Sequence, residues 1–285
     1  MKIYIKLREC FIGLVFMSAA LPGYTAEVAT IEMQSGKNNE AIITRTNIIT
    51  MDDKRVRIDY LGVDSEKTAI TPYLLTLNAG KDWVLGDQKD NQFYCAKMDM
   101  KDFFRDLGDI ISRIDKFTNP KFSDMKVELL VDEPGPEMLG YVTRHLRIQT
   151  TAKVKASVLT KKFEYGMTKV DDVWYTKDRE VHPAKQRWVE ALTHSGYEQL
   201  DQLSSGFRSK ITGPILKQNS VMETTDYKKN KVDKYIENIR AVSLKELKSS
   251  EIPEGTFSKP DCKKINKKQT KEAATSMFKE GKMTL

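Results

Sequence analysis

Apolar and polar residues alternate along most of the chain, and the period lengthens in two places. From about residue 27 to 97 the period is two. Val28, Thr30 and Glu32 alternate with Ala29, Ile31 and Met33, and Val56, Ile58 and Tyr60 alternate with Arg55, Arg57 and Asp59. Each such run offers one apolar and one polar face. Residues 41–50 are rich in Ile and Thr, which favour strand. Turn-forming clusters at Ser35–Asn39, Met51–Lys54, Asn78–Lys81 and Gly86–Asn91 separate the runs. The pattern predicts a meander of antiparallel strands.

Over 99–115 the period becomes helical. Phe103, Phe104, Leu107, Ile110, Ile111 and Ile114 fall on one helix face, Asp99 suits an N-cap, and Asn119-Pro120 closes the segment. Strands are expected again at 125–131, before the break Asp132–Pro136. Next comes a run in which Val142, Leu146 and Ile148 share a side with Arg144, opposite Tyr141, Thr143, His145 and Arg147. Val154, Ala156 and Val158 then alternate with Lys153, Lys155 and Ser157. Residues 163–175 read as a strand pair turned at Asp171-Asp172. A second helical stretch spans about 183–207, with Trp188, Val189, Leu192, Leu200 and Leu203 as a broken apolar stripe that Gly196 divides or kinks. Strands follow near Ile215–Lys217, Ser220–Thr225 and Val232–Leu247. The class this predicts is mainly β with inserted helices (α+β), a large antiparallel sheet with one face buried. A strongly curved sheet of that kind holds a helix or an apolar ligand on its concave side.

The N-terminus follows another pattern. Lys2, Lys6 and Arg8 precede the apolar run Cys10–Met17, and the small residues Ser18, Ala19 and Ala20 follow, then Pro22-Gly23. This is the layout of a cleaved secretion signal, and the run is shorter than the ~20 residues a membrane span needs. Cleavage after Ala26 and cleavage near Ala20 are both open. We take residues 1–26 as the leader, 27–265 as a single domain and 266–285 as a Lys-rich tail, expected to be disordered. An exported, periplasmic protein follows.

Charge sharpens the picture. The formal net charge is +7, of which the leader holds +2 and the segment from Lys259 onward +5, so the body between is formally neutral. A nucleic-acid partner is not expected, because its footprint is a basic patch on the folded surface. The tail is either a solvated terminus or a peripheral contact for anionic membrane. Outside the leader the cysteines are Cys95 and Cys262. In an oxidising compartment they read as one disulfide, or else as two separate buried thiols.

Catalytic patterns are missing. His145, His182 and His194 lack the spacing of a helical zinc site, and neither a nucleophile elbow nor a phosphate-binding loop is present. Asp52-Asp53 and Asp171-Asp172 read as turn residues, and Glu190 and Asp201 as a solvated helix face. No enzyme, metal or cofactor is expected. Trp83, Trp174 and Trp188 read as core packing or as the lining of an apolar pocket.

The stretches Lys54–Tyr60, Tyr73–Leu77, Gly80–Leu85, Asp87–Tyr94, Gly140–Ile148, Gly213–Leu216 and Ile252–Phe257 occur in an order that resembles the lipoprotein-carrier type of periplasmic protein. This is the outer-membrane lipoprotein-sorting-like superfamily, and the chain looks closest to its uncharacterised members. The resemblance runs over roughly residues 28–265. It implies an unclosed half-barrel, a curved antiparallel sheet with helices on its concave side, in which some members carry acyl chains. The function expected is a periplasmic binding or carrier protein for an apolar or lipidic ligand. The alternative is a non-catalytic envelope protein that contacts membrane or a partner through its basic tail. Phe103, Phe104, Leu107, Ile110 and Ile111 are the candidate cavity lining, and they are equally candidates for plain core.

Overall fold

The computed structural model describes residues 26–38, 42–61, 73–89, 92–99, 101–102, 105–106, 108–109, 112, 120–158, 161–258 and 263–264. Its strands are β1 (Ala26–Lys37), β2 (Ile43–Asp52), β3 (Val56–Leu61), β4 (Tyr73–Leu77), β5 (Asp82–Lys89), β6 (Gln92–Met98), β7 (Lys121–Pro134), β8 (Arg144–Val158) and β9 (Lys161–Tyr175). Helices α1 (Pro183–Leu192) and α2 (Glu198–Arg208) follow, then β10 (Ile215–Asp226), β11 (Lys231–Leu247) and β12 (Lys263–Lys264).

These strands make one sheet in the order β12-β6-β5-β4-β3-β2-β1-β11-β10-β9-β8-β7. Two meanders therefore meet at the centre, where β1 pairs with β11. The first runs outward from β1 to β6, and the second runs inward from β7 to β11. Short β12 adds to β6 in parallel, and the other pairings among the described residues are antiparallel.

Local chemistry sets the turns. Asp52 ends β2, and its Oδ1 accepts from the backbone N–H of Lys54 (3.0 Å) and Arg55 (2.7 Å). A carboxylate that satisfies two turn amides reverses the chain tightly. Between β4 and β5 the backbone is left-handed at Asn78, Ala79 and Gly80. Trp83 Nε1–H donates to the Gly80 carbonyl (2.7 Å), tying that turn to the core. At the β10–β11 turn, Asp226 accepts from the amides of Lys228 and Lys229, both at 3.1 Å.

The sheet must curve. Laid flat, β5 and β8 would stand about 40 Å apart at the usual strand spacing. Yet Trp83 of β5 lies 5.3 Å from Trp188 of α1, and one continuous apolar core includes Trp83, Trp188 and Ile148 of β8. Helix α1 is only ~15 Å long. It sits against the β4–β5 turn, and α2 sits against β7 and β8. Two short helices reach both flanks because the sheet wraps around them, and no pairing of β7 with β12 closes it. The expected mainly-β architecture with helices on one face is what the chain forms.

Several local expectations need correction. Asp171-Asp172 is not a turn, since β9 is one unbroken strand in which Asp171 is wholly buried. Its Oδ1 accepts from Gln218 Nε2 (2.7 Å), Ser220 Oγ (2.5 Å) and Lys169 Nζ (2.9 Å). These three bonds to Oδ1 hold a turn-prone residue inside a strand, while Oδ2 has no partner among the described residues. The strands expected at 215–217 and 220–225 are one strand, β10. The break expected at Asp132–Pro136 comes later, because β7 runs to Pro134 at the sheet's end, with register shifts along the way. Val142 lies outside β8 and is 68% exposed. The divided second helix is as expected, with Gly196 at φ +80° between α1 and α2.

Candidate functional site

The helix-covered face of the sheet is the candidate site. Its floor is apolar across the centre: Ala29, Ile31 and Met33 of β1, Ile49 and Met51 of β2, Ile239 and Ala241 of β11, Val173 and Tyr175 of β9, and Ile148 of β8. Period-two alternation brings these residues onto one face of neighbouring strands. The roof is α1 and α2, through Ala184, Trp188, Ala191, Leu192, Leu200 and Leu203. Burial on this scale is the main driving force for holding the helices to the sheet.

His182 anchors the roof. It is the N-cap of α1, its Nδ1 accepts from the Ala184 amide (3.1 Å), and its Nε2–H donates to the Asp52 carbonyl (2.6 Å). One acceptor and one donor fix the neutral Nε2–H tautomer. Burial pushes its pKa below the ordinary histidine value, against the opposing pull of Asp52 and Asp53. A second anchor is the link between the helices. Asp201 Oδ1 accepts from Ser195 N–H (2.8 Å) and Ser195 Oγ–H (2.7 Å), and Oδ2 accepts from Gly196 N–H (3.1 Å). Asp201 therefore braces the α1–α2 loop and is not on a merely solvated face. At the sheet centre Arg179 and Glu27 form a buried ion pair, with the Arg179 guanidinium over the Tyr141 ring at 5.1 Å.

Two cations on the roof stand apart from these pairings. Lys185 occupies the same stripe of α1 as Trp188 and Leu192, and it is 3% exposed. Its Nζ has no hydrogen-bond partner among the described residues. Burial, with the Arg208 charge nearby, lowers its pKa well below the ordinary lysine range. Arg208, at the C-terminal end of α2, has a buried Nε that also lacks a partner among the described residues, and burial lowers its pKa to about 10. Neither residue stood out in the sequence. The available signal was spacing, since Lys185 lies three residues before Trp188 and seven before Leu192, on the apolar stripe itself.

The candidate lining residues Phe103, Phe104, Leu107, Ile110 and Ile111 lie outside the described residues. Their described neighbours at 101–102, 105–106, 108–109 and 112 are helical, and Gly108 is buried. A Cβ at Gly108 would collide with the Ser195 carbonyl, so this segment packs closely on the α1–α2 loop. Cys95 is in β6, at the position paired with Lys264 of β12, and Cys262 lies outside the described residues. Trp83 and Trp188 are core, as expected. Trp174 is half-buried on the other face, stacked on His145 at 4.6 Å with Lys217 above it at 4.5 Å. His145 bridges Glu133 and Asp172, both at 2.8 Å. His194 is exposed near the C-terminal end of α1. Among the described residues no three metal-ligating side chains cluster, and no helix is long and apolar enough to cross a membrane.

No family model matches the chain, and no curated protein matches it. Among solved structures, it is similar to a LolA superfamily protein from Nitrosomonas europaea, at 8% identity and a TM-score of 0.28, over 84% of this chain and 92% of that one.

Proposed function

We propose that this protein is exported to the periplasm and binds or carries an apolar or lipidic molecule, held between the sheet and the helices that cover it. The observation that carries this reading is the unclosed sheet whose apolar face is roofed by two short helices. Phe103, Phe104, Leu107, Ile110 and Ile111 would contribute lining from the helical segment that packs on the α1–α2 loop. A disulfide between Cys95 and Cys262 would fix the C-terminal segment to the sheet edge. The alignment of Lys263 and Lys264 beside Tyr94 and Cys95 supports it.

Leu107→Asp tests the reading. Wild-type protein recovered from a bacterial periplasm should yield extractable lipid. The variant should be exported and melt as a folded protein but come out empty. Equal lipid in both preparations would remove this helix from the site, and no lipid in either, even after incubation with envelope lipids, would refute the carrier function.

A further inference from the structure

We propose that Lys185 and Arg208 form an anion-binding subsite that receives the acidic head group, carboxylate or phosphate, of the amphiphile. This rests on the carrier reading and specifies its ligand. The starting point is the enclosed Lys185 amine on the buried face of α1, whose Nζ has no hydrogen-bond partner among the described residues. A buried amine with no partner gives up its proton, and an anion beside it restores both the charge and the hydrogen bonds.

The buried acids of the described residues are engaged elsewhere. Glu27 pairs with Arg179, and Asp52 with Arg55. Asp171 is held by Lys169, Gln218 and Ser220, while Glu237 has interactions of its own. None of these pairings supplies Lys185. A second basic residue, Arg208, ends α2, the helix in contact with α1, and its enclosed Nε–H is also unmatched among the described residues; its charge adds to the lowering of the Lys185 pKa. Two like charges brought together inside a protein repel, and an anion between them reverses the sign of that interaction. An ammonium point charge and a planar guanidinium are the groups proteins use for carboxylate and phosphate. The surroundings fit the rest of an amphiphile. Trp188 and Leu192 extend from Lys185 along α1, and Phe207, next to Arg208, packs against the apolar core. The head group would meet the cations while the chain lies along the apolar floor.

The test uses the mature full-length chain, stripped of lipid, and native mass spectrometry with four probes: oleate, oleoyl lysophosphatidate, monooleoylglycerol and inorganic phosphate. The first three share one acyl chain and differ in head-group charge. The wild type should bind both anionic amphiphiles at least tenfold more tightly than monooleoylglycerol. Lys185→Met and Arg208→Met should each reduce that preference, the ratio of anionic to neutral affinity in the same variant, to within about twofold. Equal binding of all three lipids by the wild type would overturn the subsite and leave the carrier reading intact. A preference that persists in both variants would do the same. Binding of phosphate alone, lost in Lys185→Met, would mark a site for a free anion and end both the head-group assignment and the carrier reading, as would no binding of any probe. If a variant fails to melt cooperatively, the wild-type preference decides.

Discussion

Lys185 and His182, three residues apart at the start of α1, handle burial in opposite ways. His182 is fully satisfied and Lys185 is not. With ligand absent, replacing Lys185 by Met removes a desolvated amine and keeps the apolar stem. We expect a gain of about 1–3 kcal/mol, seen as a higher melting temperature at pH 7. A loss would mean that Lys185 has a stabilising partner in the empty protein. His182 gives a pH dependence. Its folded pKa is depressed below 6.5 by burial. As pH falls through that value the unfolded chain takes up a proton that the folded chain resists, because the proton would have to displace the Ala184 amide from Nδ1. Stability from this group is therefore present above pH 6.5 and is lost as pH falls toward the lower folded value. Asp52 and Asp53 are the charged groups that oppose the shift. Melting temperatures of wild type and His182→Asn between pH 7.5 and 5 check this, and the variant should lose the part of the slope due to histidine. Parallel curves would show that His182 does not titrate across folding. Much of this detail was invisible in the sequence. Asp171 looked like a turn residue because local preference favours turns, and only its partners on the neighbouring strand, Gln218 and Ser220, reveal why it is buried.

The elements that hold the roof depend on two close approaches. Gly80 has φ +82°, and a Cβ there would stand 2.7 Å from Ala184 Cα at the start of α1. Gly80→Ala should cost about 1–2 kcal/mol for the left-handed backbone alone, and more because α1 must shift. Trp188 fluorescence should move to the red as the Trp83–Trp188 pair separates, and an unchanged spectrum would show that α1 docks independently of that turn. Gly206 serves α2 in a similar way, since a Cβ there would meet the Val127 side chain of β7 at 3.0 Å. The helices were legible as apolar stripes, and Gly196 was legible as their divider. Their docking was not, because what each close approach meets is distant in sequence: Gly80 lies about a hundred residues before α1, and Val127 about eighty before Gly206 of α2. Strand existence was easier to read than strand extent. In β10 the polar Gln218 and Asn219 look like an interruption but are paired within the ladder.

At the scale of the whole molecule, the sequence implied a meander over about residues 27–97 and further strands after it, but not how the two halves join. Pairing of β1 with β11 joins residues as far apart as Ala26 and Leu247, and local periodicity carries no information about such a partner. That junction makes one open sheet out of two meanders and places β1, the first strand, at its centre. Ala26 is buried and paired on both sides, so a cut on its C-terminal side would take a residue from the central strand. The junction also sets the floor beneath α1 and α2, and the proposed function depends on that floor. Native mass spectrometry of the mature protein purified from a bacterial periplasm, with organic extraction of whatever is bound, tests the carrier function most directly. The expected result is a defined mass above that of the polypeptide, which extracts as an acidic lipid and leaves a chain two hydrogens lighter than its reduced mass. A bare polypeptide mass, unchanged after incubation with envelope lipids, would contradict it.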